Sequence, residues 1–159
     1  MDVFDDELLR FWKIANIVCL KYIMIGGVAT NLHGYHRTTE DIDIWIEDSA
    51  ENRTKLRKVF NEYGLGDFES FKTLQFVPGW TYFHLDNGIR LDIMTTVKGL
   101  DEPFDAYLNL SSIANIYDVE VPFLHLNHLI EAKKAANRPK DKIDLIELEK
   151  IKKILDQPD

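Results

Sequence analysis

Six residues, Asp41-Ile-Asp-Ile-Trp-Ile46, alternate strictly between aliphatic and other side chains. That period of two belongs to a strand with one face buried. Ile42, Ile44 and Ile46 point one way; Asp41, Asp43 and Trp45 point the other. Residues two apart on a strand share a face, with α-carbons roughly 6–7 Å apart, so two carboxylates stand side by side. Asp is depleted in strand interiors, and adjacent carboxylates repel unless a cation sits between them. Oxygen donors of this kind suit Mg²⁺ or Mn²⁺. Paired divalent ions can clamp the attacking and leaving oxygens of a phosphoryl displacement.

The flanking sequence supplies complementary parts. Tyr22 to Ile25 is an apolar run closed by Gly26-Gly27, as expected of a buried strand. Val28 to Leu32 follows as a short helix ended near Gly34. A helix beginning after a glycine pair turns free backbone N–H groups toward phosphate and lets a ligand approach closely. Downstream, Asp86-Asn87-Gly88 is a hairpin signal, and Ile89 to Met94 reads as its second strand. There Arg90, Asp92 and Met94 share a face, so Asp92 is an acid flanked by apolar neighbours in the same pattern as Asp43, and a candidate to join it.

Gly26-Gly27 followed by Arg37-x-Thr39-x-Asp41-Ile-Asp43 resembles the signature of the nucleotidyltransferase superfamily, most closely its small bacterial AbiEii-type and minimal members. Many members carry Gly-Ser where this chain has Gly26-Gly27, which leaves only backbone donors here; several small AbiEii-like members also carry Gly-Gly. The resemblance covers Tyr22 to Met94 and, more loosely, Leu129 to Asp144, where Lys133, Arg138, Lys140, Asp141 and Asp144 match.

It implies an α+β fold: a nucleotidyltransferase-type mixed β-sheet flanked by helices, with a short helical C-terminal segment. It also implies transfer of a nucleoside monophosphate from an NTP to an acceptor hydroxyl, with Mg²⁺ or Mn²⁺ held by Asp41, Asp43 and Asp92. Gly26, Gly27 and the next amides would cradle the triphosphate, and Lys133 would neutralise it. Arg138 would be held by Asp141 or Asp144. Arg37 and Thr39 would meet phosphate or merely close the loop before the strand. RNA such as tRNA, a partner protein and a small molecule are the acceptor classes. The rival readings are a toxin–antitoxin-type interaction protein and a catalytically silent nucleotide-binding module.

The rest of the chain sets bounds. Its 159 residues suit one domain, with a core over about 20–96 and a helical segment over about 125–156. A net charge of −8 argues against non-specific DNA binding, although Lys133, Lys134, Arg138, Lys140 and Lys142 make a local basic patch. No apolar run approaches a membrane span, and the acidic N-terminus lacks the basic start of a signal peptide. Cys19 reads as a core thiol, consistent with a cytoplasmic protein.

Helices are expected from Asp5 to Leu20, from the Ser49 cap to Tyr63, from Asn127 to Ala136 and from Pro139 to about Leu155. The last would bury Ile143, Ile146, Ile151 and Ile154, helped by Leu148 and Leu155. Further strands are expected at Leu74 to Val77 and at Val119 to Leu124, the latter an edge strand because of Pro122. Trp45 lies on the Asp43 face, where it could touch a base. His33/His36 and His125/His128 have a spacing that can ligate zinc on a helix, but no third ligand accompanies either pair.

Overall fold

The computed structural model describes residues 5–157; the first residues of the N-terminal stretch read for a leader lie outside them. Six strands form one mixed sheet in the order β3-β4-β2-β1-β6-β5. The strands are β1 Tyr22–Ile25, β2 Asp41–Ile46, β3 Tyr82–His84, β4 Arg90–Met94, β5 Ser112–Ile116 and β6 Val119–Phe123. β1 runs antiparallel to β2, and β2 parallel to β4. Six helices flank the sheet: α1 Asp6–Val18, α2 Gly26–Leu32, α3 Ala50–Tyr63, α4 Phe104–Asn109, α5 Leu126–Ala136 and α6 Pro139–Asp156. The mixed α+β architecture and helical C-terminal segment are those expected.

Local chemistry sets the helix ends. The Asp5 carboxylate accepts from the N–H groups of Glu7 (2.9 Å) and Leu8 (3.2 Å), capping α1. Ser49 caps α3 through the Asn52 N–H (3.1 Å). Gly64, in the left-handed region, ends that helix. The buried Asn52 side chain then bonds the carbonyls of Lys21 and Glu47 and the N–H of Lys21, tying α3 to the start of β1 and the end of β2. Phe11 of α1 and Phe60 of α3 pack edge to face among Tyr63, Phe68, Phe71 and Phe83, and belong to the same buried core as Ile42, Ile44 and Ile46.

Several expectations are corrected. Leu74 to Val77 makes no ladder and is irregular, following a 3-10 turn at Glu69–Lys72. β6 is an interior strand: it pairs with β1 at Met24↔Phe123 and with β5 along its length. That short contact with β1 is what lets it carry Pro122. β5, the true edge, was unmarked in the sequence because its turn, Tyr117-Asp118, has positive φ at both residues without a glycine. Cys19 is exposed, since it ends α1 in the left-handed conformation rather than continuing the buried stripe.

The largest correction concerns α6. Ile143, Ile146, Ile154 and Leu155 are exposed, and its inward face is Asp141, Asp144 and Leu148. These lie at i, i+3 and i+7, so a buried ionic contact decides which side of the helix turns inward.

Candidate active site

The carboxylates meet by register. β2 and β4 are parallel neighbours in which Asp43 is directly opposite Asp92, and Asp41 opposite Arg90. Adjacent strands lie about 4.8 Å apart, so three acids from two strands share one small area. On the other side of β2, Asp43 is opposite Ile25, the last residue of β1. The chain therefore passes from β1 into Gly26 immediately beside the Asp43 carboxylate.

The two glycines owe their identity to this crowding. Gly26 has φ +72°, and a Cβ there would overlap the Asp43 carboxylate. A Cβ on Gly27 would come within 2.6 Å of the Thr39 hydroxyl and 3.2 Å of an Arg37 guanidinium nitrogen. Helix α2 starts at Gly26, two residues earlier than expected, and no side chain caps its N-terminus.

A cleft of about 390 Å³ opens over this spot. Asp41, Asp43 and Asp92 line it together with Gly26, Gly27, Arg37, Lys133 and Arg138. Thr39 does not line it; its hydroxyl donates to the Asp41 carbonyl (3.3 Å) and buttresses Gly27. Trp45 is buried against Phe104 and Tyr107, with its indole N–H donating to the Thr95 carbonyl (3.1 Å), so it is unavailable to a base. His33 bonds the Leu124 carbonyl (2.7 Å) and His125 caps α5, and no group of three His, Cys, Asp or Glu among the described residues closes on a metal-sized point.

The acids differ in their partners. Burial, then the neighbouring charges of Asp92 and Asp41, pushes the Asp43 carboxyl up to about 6, with Lys140 and Lys133 only partly offsetting them. Asp92 is buried and paired: Arg90 reaches its Oδ1 through Nε (3.2 Å) and Nη2 (3.0 Å). The hard-oxygen donors and the unrelieved charge at Asp43 fit a divalent cation, with Asp41 and Asp43 open to it and Asp92 held by Arg90. Arg90 escaped the sequence reading as a site residue, although its spacing from Asp92 already put both on one face.

A buried ionic cluster borders the cleft. Asp144 accepts from Arg37 through Nε (2.7 Å) and Nη2 (3.0 Å) and from Lys133 Nζ (2.8 Å). Asp141 takes Arg138, through Nε at 2.7 Å and the backbone N–H at 3.0 Å, with Lys133 at 3.6 Å. These cationic partners hold both carboxyls below their ordinary range, although burial alone would raise them. Of the two aspartates expected to hold Arg138, Asp141 does so. The expected basic patch is dispersed, because Lys133 is buried in this cluster and Lys134 pairs with Glu149.

Solved structures share this arrangement of elements. TM1012 of Thermotoga maritima, a candidate nucleotidyltransferase, superimposes with a TM-score of 0.60 at 17% identity, covering 90% of each chain. The chain has a nucleotidyltransferase fold. The lincosamide adenylyltransferase LnuA, bound to lincomycin, matches at TM-score 0.57 and 17% identity over 92% of this chain and 97% of that one. ANT(2″)-Ia in complex with adenylyl-2″-tobramycin matches at 0.53 and 20% identity over 90% and 89%. No protein-family model and no curated protein matches the sequence. No helix among the described residues is long and apolar enough to cross a membrane.

Proposed function

We propose that the protein is a metal-dependent nucleotidyltransferase that moves a nucleoside monophosphate from an NTP to an acceptor hydroxyl. The observation that carries this reading is Asp43: a largely buried carboxylate beside two others, lining a cleft, with no ion pair of its own among the described residues. A structural acid would have been paired, as Asp144 is. Mg²⁺ or Mn²⁺ held by Asp41, Asp43 and, once it is free of Arg90, Asp92 would supply charge neutralisation and Lewis acidity at the phosphoryl group.

The chain's own residues do the rest. Gly26 and Gly27 let the triphosphate approach the backbone, and the uncapped amides that follow donate to it. Arg37 and Lys133, held by Asp144, present fixed positive charge to the cleft, and Arg138 stands at its rim. Asp92, once free of Arg90, takes the proton of the acceptor hydroxyl. The acceptor oxygen bonds to the α-phosphorus as the bond to the β-phosphate oxygen breaks and pyrophosphate leaves.

The motif residues favour the small AbiEii-type branch, and use of NTP favours the cytoplasm. The protein is incubated with each of four labelled NTPs, Mg²⁺ or Mn²⁺, and an acceptor panel of tRNA, cell protein, lincomycin and tobramycin. Label transfer that disappears in Asp43→Asn is the expected result. Transfer that survives in Asp43→Asn, or no transfer under any combination, overturns the proposal.

A further inference from the structure

Asp92 is already neutralised from within its own strand. Arg90 makes a two-nitrogen contact to it, stacks its guanidinium 3.8 Å from the centroid of the Tyr82 ring, and donates from Nη2 to the Gly79 carbonyl (3.1 Å). Gly79 belongs to a tight turn in which the N–H groups of Trp80 and Thr81 both donate to the Val77 carbonyl (3.0 Å each). Arg90 thus ties a prospective metal ligand to a surface turn. The turn carries Trp80, which is 82% exposed, whereas Trp12 and Trp45 are buried.

We infer that Arg90 is the built-in counter-ion of the carboxylate site: it competes with a divalent cation for Asp92, sets the site's affinity for the ion, and passes the exchange to the Val77–Trp80 turn. This rests on the metal-dependent reading above, in that the ion takes Asp92. A cation that claims Asp92 must displace the guanidinium fork and tolerate its charge nearby, and both effects weaken binding. With Arg90 removed, Asp92 joins Asp41 and Asp43 without competition. A guanidinium drawn off Asp92 shifts on the Tyr82 ring and loosens its bond to Gly79, which alters the exposure of Trp80. An Arg90 that served only as a strut for the turn would leave metal affinity unchanged.

The test measures binding of Mn²⁺ alone, with no nucleotide, to the full chain by electron paramagnetic resonance of the free ion. Arg90→Gln tightens Mn²⁺ binding about five- to tenfold, the factor expected for releasing a charge-assisted pair at a partly open site. Arg90→Lys, which keeps the charge but loses the fork, tightens it less and serves if Arg90→Gln folds poorly. In an Asp92→Asn background the Arg90 substitution has a smaller effect, since only the nearby charge and not the competition for Asp92 is removed. In parallel, Mg²⁺ changes acrylamide quenching of Trp80 in the unaltered protein and not in Asp92→Asn. Mn²⁺ binding that Asp43→Asn abolishes but both Arg90 variants leave unchanged overturns this inference and spares the metal-dependent reading. Absence of Mn²⁺ binding in the unaltered protein and the Arg90 variants overturns both.

Discussion

The cleft is bordered by two groups of aspartates, one lining it and one mostly buried behind its cationic residues, and they are handled in opposite ways. Asp141 and Asp144 are fully buried and fully paired, and their carboxyls are held below the ordinary range. Asp43 is less buried, has like charges for neighbours, and is held near 6. The same side chain serves as a paired structural anchor in one place and stands as a carboxyl crowded by like charges in the other. The difference lies in which counter-charges the fold brings into contact: Arg37, Lys133 and Arg138 make direct ion pairs on one side, whereas on the other Arg90 is spent on Asp92, and Lys140 and Lys133 reach Asp43 only from a distance. Buried charge that is matched holds its elements together, whereas buried charge crowded by like charges shifts its pKa instead.

The comparison breaks most visibly at its matched end. Asp144→Ala leaves Arg37 and the buried Lys133 without their partner, and removing one member of such a cluster costs about 3–5 kcal/mol. For a chain of this size that lowers the melting temperature by roughly 6–20 °C. A melt within 2 °C or so of the unaltered protein would show that the cluster is not an anchor.

Gly26→Ala comes next. A left-handed backbone and a clash with the Asp43 carboxylate together cost about 1–3 kcal/mol. Gly64→Ala, with the same sign of φ but open space around it, costs only about 1 kcal/mol. Equal losses in urea denaturation would mean that the glycine is needed for its backbone alone and not for the approach to Asp43.

The unmatched end gives the opposite pH signature. A carboxyl raised to about 6 in the folded chain binds its proton more readily there than when unfolded. It therefore opposes folding when ionised, and stability gains as pH falls from 7 toward 4.5. The lowered carboxyls of Asp141 and Asp144 contribute stability that is complete above the ordinary Asp range and is lost as pH falls below it. Asp43→Asn should add on the order of 2–3 kcal/mol at pH 7, and the difference from the unaltered protein should shrink as pH falls through about 6 and vanish only below the ordinary Asp value, near about pH 3.5. A difference that is independent of pH would show that Asp43 is already matched. The smallest effect is at Arg138, whose side chain is 57% exposed. Arg138→Ala should cost no more than about 1 kcal/mol by chemical denaturation; a loss as large as that of Asp144→Ala would put Arg138 inside the anchor.

Local patterns carried the elements that bear the carboxylates. Strict alternation over Asp41–Ile46, the glycine-closed run before it and the Asp86-Asn87-Gly88 hairpin each state a backbone geometry within a few residues, and the strands lie where they imply. The N-cap at Ser49 was legible for the same reason, whereas Asp5, expected as the first residue of its helix, is the residue that caps it. Elements whose signal was weak or shared with loops were missed: β5 has no glycine in its turn, and Leu74 to Val77 is apolar but forms no ladder. In α6 the isoleucines suggested the wrong inward face, because a count of apolar residues gives no weight to two aspartates with cations waiting for them.

The sequence by itself determined that two carboxylates stand on one strand face beside a glycine pair, and that a third lies on a later strand, since strand periodicity and turn chemistry are local. Only the tertiary structure decided the partners: Asp92 opposite Asp43 but held by Arg90, Asp144 joined to Arg37 across 107 positions of chain, and Thr39 behind Gly27 rather than in the cleft. Pairing between distant charges depends on strand order and helix rotation, which balance burial against neutralisation over the whole chain, and no short stretch of sequence encodes that balance.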